Sequence, residues 1–358
     1  MKPRRWIGRR RIMGGVARAC GVWALLLLGS ASAADDPLQR ARDALERGDA
    51  AGAAAAASAA ILSAPGDARL ADAQRVLGLA YERAGSRGAA WEQYRLFLRN
   101  FPAHPARDDV ADRADRLVQR ARDRVMPPPA RWRAVSARDD RWASFDDAAV
   151  VVTVKGSDDA ERAGSRLTRE AVDGARVWVR LAPAEPTGAL DPFDEEAVAR
   201  VERRVRDAAA WPIEGLVVEG VTLGEHASSP AADRAYADLA RDIAGLPAGR
   251  DRLIWTWAGM RARASAGALR RFVAAAKTVN PRVKWAIRIS ADVVFHPELA
   301  VRELGADWAE LRAAAPDAIW AIDASERMGP RLAAALTETE ARLPLARWTA
   351  DGGMVLLK

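Results

Sequence analysis

The sequence predicts an α + α/β chain, with an all-helical N-terminal region followed by a C-terminal domain in which strands alternate with helices. Three observations carry this. Residues 36–125 are rich in Ala, Arg and Leu at helical spacing. Met126-Pro127-Pro128-Pro129 then interrupts the pattern, because proline has no amide donor and cannot continue a helix. Beyond residue 144, apolar β-branched runs alternate with amphipathic segments, the pattern of a parallel sheet covered by helices.

The first 33 residues read as a secretory signal peptide. Lys2, Arg4, Arg5, Arg9, Arg10, Arg11 and Arg18 form a basic head without an acid, an apolar run follows over 19–28, and Ala31-Ser32-Ala33 offers the small residues that a signal peptidase requires. The run is shorter than the roughly 20 apolar residues of a bilayer span. The mature chain is therefore expected to be periplasmic or secreted, and not membrane-spanning after cleavage. Arg9-Arg10-Arg11-Ile12-Met13 fits a twin-arginine export signal as well as an ordinary basic head.

The same segment owns the charge excess. The chain has 55 Lys and Arg against 48 Asp and Glu; seven of the basic residues and none of the acids lie in 1–33, which leaves 48 of each sign. A neutral mature chain without a basic, aromatic-interleaved stripe gives no reason to expect nucleic acid as a partner. The single cysteine, Cys20, leaves with the signal peptide, which excludes a disulfide and a thiol nucleophile. His104, His226 and His296 stand apart without ligand spacing. There is no glycine-rich phosphate loop or dinucleotide fingerprint, so no metal and no cofactor is expected.

Residues 36–125 carry an internal repeat. Leu77-Gly78-x-x-Tyr81, Gly85, Ala90, Tyr94 and Pro102 make one copy. Leu77 and Tyr81 are four apart and share a helix face. Gly78 and Ala90 are small enough for two helices to approach closely. Gly85 ends the first helix and Pro102 the second. Gly48 and Pro65 each precede Gly85 and Pro102 by 37 residues and mark a degenerate earlier copy, with extra residues at Gly66-Asp67-Ala68. A further helix at 105–125 has the polar outer face of a capping helix. At these positions the segment resembles a tetratricopeptide repeat, whose period is about 34 residues. The resemblance implies a concave face that docks an envelope protein partner, and no catalysis.

Residues 126–143 read as a stiff, proline-rich linker, and 144–358 as the second domain. Strands are expected at 148–154, 176–181, 215–219, 283–289, 317–322 and 354–357, and helices at 195–210, 231–243, 265–279, 297–314 and 330–342. Six strands fall short of the eight strands and about 250 residues of a full barrel, so a reduced (β/α) barrel is expected.

Two stretches carry a resemblance. One runs through Asp191-Pro192-Phe193-Asp194, Glu214-Gly215-Leu216-Val217-Val218-Glu219 and Ser228-Ser229-Pro230. The other is Val283-Lys284-Trp285-Ala286-Ile287-Arg288-Ile289 with Val293-Val294-Phe295-His296-Pro297. In order and spacing they are similar to the C-terminal glycoside-hydrolase-like barrel of the poly-β-1,6-N-acetylglucosamine deacetylases of biofilm export systems. The similarity spans 191–326, a little over a third of the chain, and implies a TIM-like barrel with a polysaccharide groove. That family's deacetylase domain has no counterpart here; the helical repeats stand in its place. The family ends its fourth strand in His-Asp-Asp, where an aspartate carries the glycosidase chemistry, and this chain has Glu219-Gly220-Val221. On the next strand the family has Arg-Asn where this chain has Ile287-Arg288. One strand–helix unit between Val154 and Val177 is also expected to be missing.

Hydrolysis of a glycosidic bond needs two carboxyl groups across it, placed in a barrel at the C-terminal ends of strands. Glu219 and Asp323 end strands, Glu225 and Glu326 lie in the loops that follow, and Arg288 ends the strand between them. Glu219 with Asp323 or Glu326 is the candidate catalytic pair. Arg288, Glu225 and Trp257 are candidate glycan contacts. The competing reading is structural: carboxylates that hold loops or pair Arg288, and Trp255 and Trp257 as packing residues of a helix. Trp285 and Trp320 sit inside strands and read as core. Successive strand residues face opposite ways, and the sequence leaves open whether Glu219 or Gly220 faces the barrel mouth. Three functions remain in view. The first is an exopolysaccharide-system protein whose repeats dock a partner and whose barrel binds polysaccharide without cleaving it. The second is an active, divergent glycosidase. The third is an envelope scaffold in which both parts bind protein.

Overall fold

The computed structural model describes residues 36–63, 69–127, 129–136, 148–154, 157–181, 190–220, 229–244, 249–323, 345–349 and 353–356. The signal segment 1–33, Pro65 with the 66–68 connection, and the helix expected at 330–342 lie outside the described residues.

The helical part consists of α1 (Pro37–Glu46), α2 (Ala50–Ser63), α3 (Leu70–Arg83), α4 (Arg87–Asn100) and α5 (Arg107–Arg122), each packed on the next. Asp36 caps α1 by accepting from Leu38 N, with Pro37 in the first turn. The turns after α1 and α3 share one hydrogen-bond pattern: Asp49 N donates to Ala44 O at 2.9 Å and Ser86 N to Tyr81 O at 3.0 Å. Both bonds satisfy carbonyls that a helix end leaves free. Leu77 packs with Leu38, Ala41, Ala53 and Ala57. Gly78 lies against the ring of Tyr94, which a Cβ would overlap. The close approach expected between Gly78 and Ala90 is thus made to Tyr94, while Ala90 is buried beside Ala71 and Phe97. Tyr94 is fully buried and donates to Glu82 at 2.7 Å. Burial, then that bond and the Glu82 charge, push its pKa up.

The second part is a closed barrel of eight strands: β1 (Arg131–Ser136), β2 (Ala149–Val154), β3 (Val177–Leu181), β4 (Gly215–Val218), β5 (Lys284–Ser290), β6 (Ile319–Asp323), β7 (Leu345–Trp348) and β8 (Met354–Leu356). β1 to β7 pair in parallel, and β8 runs antiparallel to both β7 and β1. The sheet is therefore mixed and complete rather than reduced. The strands beyond the six expected are β1 and β7. β1 lies inside the segment read as a linker. Exposed Arg131 and Arg133 alternate there with buried Trp132, so the strand presents no apolar run. Of the strand–helix unit expected to be missing between Val154 and Val177, a helix is present, α6 (Ser157–Asp173), which joins β2 directly to β3; no further strand lies between them among the described residues.

α7 (Glu195–Ala209) joins β3 to β4, and α8 (Pro230–Ile243) and α9 (Gly249–Val279) join β4 to β5. The short turns α10 (Asp292–Phe295), α11 (Pro297–Leu299) and a π-turn at Ala300–Leu304, then α12 (Trp308–Ala314), join β5 to β6. α9 has 31 residues and begins well before the helix expected at 265–279.

Strand alternation divides the core in two. Val150, Val152, Val179, Leu216, Ile287 and Ile322 face the helices. Val151, Trp178, Val217, Ala286, Ala321 and Met354 fill the barrel. Both faces are buried, which is why these strands are continuous apolar runs. Trp132 and Trp178 meet edge to face with centroids 5.6 Å apart. Gly215 makes room for them, since a Cβ there would stand 2.5 Å from the Trp178 ring.

The helical part meets the barrel at the N-terminal ends of the strands. Gly88 N donates to Asp173 at 2.5 Å, Arg169 pairs with Glu92 at 3.0 Å, and Arg282 pairs with Asp123 at 3.1 Å. The opposite end, where strands finish, is the barrel mouth.

Candidate functional site

Five inward-facing side chains meet at the mouth, each supplied by the end of a different strand. Arg180 comes from β3, Glu219 directly follows β4, Arg288 comes from β5, Asp323 ends β6 and Trp348 ends β7. Glu219 shares its parity with Val217, which lies inside the barrel. The question of which residue faces the mouth is thereby answered: Glu219 does. Gly220 then takes φ 66, a left-handed conformation that costs a residue with a Cβ more than glycine. Its carbonyl accepts from Leu190 N at 2.9 Å, tying the loop after β3 to the end of β4.

The five groups form one network. Arg180 Nη2 donates to Glu219 Oε2 at 2.8 Å, and Arg180 Nε contacts Oε1 of the same carboxylate. Arg288 Nη1 donates to Glu219 Oε2 at 3.2 Å, and its Nη2 donates to Asp323 Oδ2 at 2.5 Å. The Trp348 ring lies under both guanidinium groups, 5.1 Å from Arg180 and 4.8 Å from Arg288, the geometry of a cation–π contact. Burial works against the charged form of Arg288, but the bonds and charges of Asp323 and Glu219 outweigh it and raise its pKa. The Glu219 side chain is 9 % exposed and the Asp323 side chain 50 %. The network therefore runs from a buried carboxylate to one that meets solvent.

This arrangement bears on chemistry. A glycosidase acid must deliver a proton, and its partner must offer a free lone pair to water or to the sugar. Glu219 accepts from two guanidinium groups through Oε2, and its Oε1 lies in ion-pair contact with Arg180. Asp323 keeps one oxygen beyond its bond to Arg288. The mouth thus presents fixed N–H donors and a half-free carboxylate, a set suited to hydrogen bonding with hydroxyl or amide groups.

The expected residues fall out as follows. Glu219, Arg288 and Asp323 are brought together. Glu225 and Glu326 lie outside the described residues. Trp257 is half-buried, stacked on Phe193 at 5.1 Å and edge-on to Tyr236 at 5.4 Å. Its neighbours Trp255 and Tyr236 are 50 % and 41 % exposed. α9 runs back toward the start of β5, so these turns lie toward the mouth end. Beside them, Ser229 caps α8 and donates to Asp191, joining the loops after β4 and β3. Sequence reasoning missed Arg180 and Trp348. A charge inside the apolar strand Val177–Leu181 was a usable signal for the first. The second sits on a strand that was not recognised. Among the described residues no group of three or more His, Cys, Asp or Glu could hold a metal ion, and no helix is long and apolar enough to cross a membrane.

No protein-family model matches the chain, and no curated protein matches it.

Proposed function

We propose that this chain is a periplasmic or secreted protein of an exopolysaccharide system. In this reading the barrel is TIM-like and binds polysaccharide at its mouth without cleaving it. The N-terminal helices serve as tetratricopeptide-like repeats that dock an envelope protein. The observation that carries the reading is the Arg180–Glu219–Arg288–Asp323 network over Trp348, set where barrel folds place their ligand sites. It supplies rigid polar groups for a sugar, and it holds the best-placed carboxylate in ion pairs that hydrolysis would have to break. The exposed rings of Trp255 and Tyr236 add apolar faces of the kind that stack on sugar rings.

The test uses the mature chain, partly deacetylated poly-N-acetylglucosamine and other β-linked glycans. Calorimetry should register binding, and Arg288→Ala should weaken it by about tenfold or more, the value of a charge-assisted hydrogen bond. No new reducing ends should appear. Release of reducing ends by the wild type, abolished in Glu219→Gln and in Asp323→Asn or Glu326→Gln, would replace this reading with a divergent glycosidase, which the convergence of Glu219 and Asp323 on one arginine keeps in view. An absence of glycan binding would leave a protein-binding scaffold.

A further inference from the structure

A second cluster of charge lies at the other end of the barrel, and nothing in the proposed function uses it. Where α5, the end of α6 and the starts of β3 to β5 meet, a cavity of about 40 Å³ is lined by Arg122, Arg124, Arg176, Arg282, Lys284 and a single acid, Glu214. Glu214 is already taken: Arg176 binds it through two bonds of 2.8 and 2.6 Å, and Lys284 through one of 3.0 Å. Two cations thus share one carboxylate. Arg282 has its own partner in Asp123. Arg122 donates to a carbonyl, that of Ala210, and its Nε is buried without a hydrogen-bond partner. The Arg124 side chain has no hydrogen bond or ion pair among the described residues, and its guanidinium stands close to Gly174.

The balance around this cavity is strongly positive, and one buried N–H donor lacks an acceptor. Buried donors are almost always paired, and like charges gathered at a partly enclosed site repel more strongly than in bulk water. A water needs about 10–15 Å³ of such space, so the cavity admits about three waters or one small tetrahedral oxyanion.

We propose that this cavity is a binding site for a small tetrahedral oxyanion, inorganic phosphate or sulfate, held chiefly by Arg122 and Arg124. Its lining comes from both parts of the chain. Arg122 and Arg124 belong to the helical part, and Arg176, Arg282 and Lys284 to the barrel floor. An anion there fastens one to the other.

The experiment uses the mature chain in buffers of equal ionic strength containing chloride, acetate, sulfate or phosphate. Calorimetry with inorganic phosphate should give saturable binding at one site. Tm should climb with the logarithm of the phosphate or sulfate concentration once that exceeds Kd, as it does for a ligand of the folded state, with no comparable rise in acetate. Arg124→Ala removes a side chain that holds no partner among the described residues, so it should fold normally and bind phosphate at least about tenfold more weakly. Arg124→Glu places a carboxylate at the cavity; it should melt above the wild type in chloride and lose its response to phosphate. Absence of saturable phosphate binding, wild-type affinity in Arg124→Ala, or equal stabilisation by acetate would overturn the proposal. Glycan binding at the mouth should be the same in phosphate and in chloride, so the two sites stand or fall separately.

Discussion

The same three strands carry an ion cluster at each end of the barrel, and the two are built for different work. At the floor, Arg176, Glu214 and Lys284 turn inward on themselves and on the incoming chain: Arg176 donates to the carbonyl of Pro127, and Lys284 to that of Met126 at 2.5 Å. At the mouth, Arg180, Glu219 and Arg288 occupy the matching places on β3, after β4 and on β5, but the network continues to a half-exposed Asp323 and rests on an aromatic ring. The floor cluster spends its donors on the backbone that joins the helical part to the barrel. The mouth cluster keeps part of its capacity facing solvent. Similar residue types thus yield a fastening at one end and a polar platform at the other. What differs is whether backbone carbonyls or water take up the remaining valences.

That contrast can be broken at several points. The largest effect is expected between the two ends. Trp178 is fully buried inside the barrel, and Trp178→Ala should cost about 3–5 kcal/mol in denaturant melts, weakening both clusters together. At the floor, Glu214→Gln leaves Arg176 and Lys284 facing each other without their carboxylate. Their partial exposure moderates the usual penalty for a broken buried pair, so about 2–4 kcal/mol is expected. At the mouth, Glu219→Gln should cost less, about 1–3 kcal/mol, because Arg288 keeps Asp323. A floor substitution that proved the milder of the two would reverse the assignment of roles.

The smallest effect concerns Asp191, just before α7. Burial raises its pKa, opposed by backbone bonds from Phe193 and Ala232. A carboxyl that binds its proton more tightly when folded adds stability below its unfolded pKa, and that contribution is lost as pH rises through the folded value. Asp191→Asn should therefore flatten the dependence of Tm on pH above about pH 4, by under about 1 kcal/mol in stability.

Much of this architecture was legible in the residues, for reasons that also explain the gaps. β2 to β6 are buried on both faces and so appear as apolar runs; β8 is legible in the apolar run at 354–357. β1 has one face toward solvent, with Arg131 and Arg133 exposed, and it follows a proline run. Both features imitate a linker. β7 has only four residues, one of them Arg347. α6 opens with Ser157-Asp158-Asp159, which resembles a loop until the helix beyond it is seen. At the site, the rule that barrel chemistry gathers at strand ends found Glu219, Arg288 and Asp323. It passed over Arg180 because the strand around it looks like core, and it gave Trp257 an open role because one sequence does not show that Phe193 and Tyr236 hold it.

The antiparallel pairing of β8 imposes an order on how the molecule assembles. Met354 pairs with Trp132 and Val355 with Arg131, so residues adjoining the helical part wait for partners near the far end of the chain. The five N-terminal helices pack on sequence neighbours and can form early. Contacts of such long separation come slowly, because loop entropy must be lost before they reward it. Until they form, β1 and β7 are bare edges, the surfaces most prone to pair with another chain. A three-residue strand is thus what closes the whole ring.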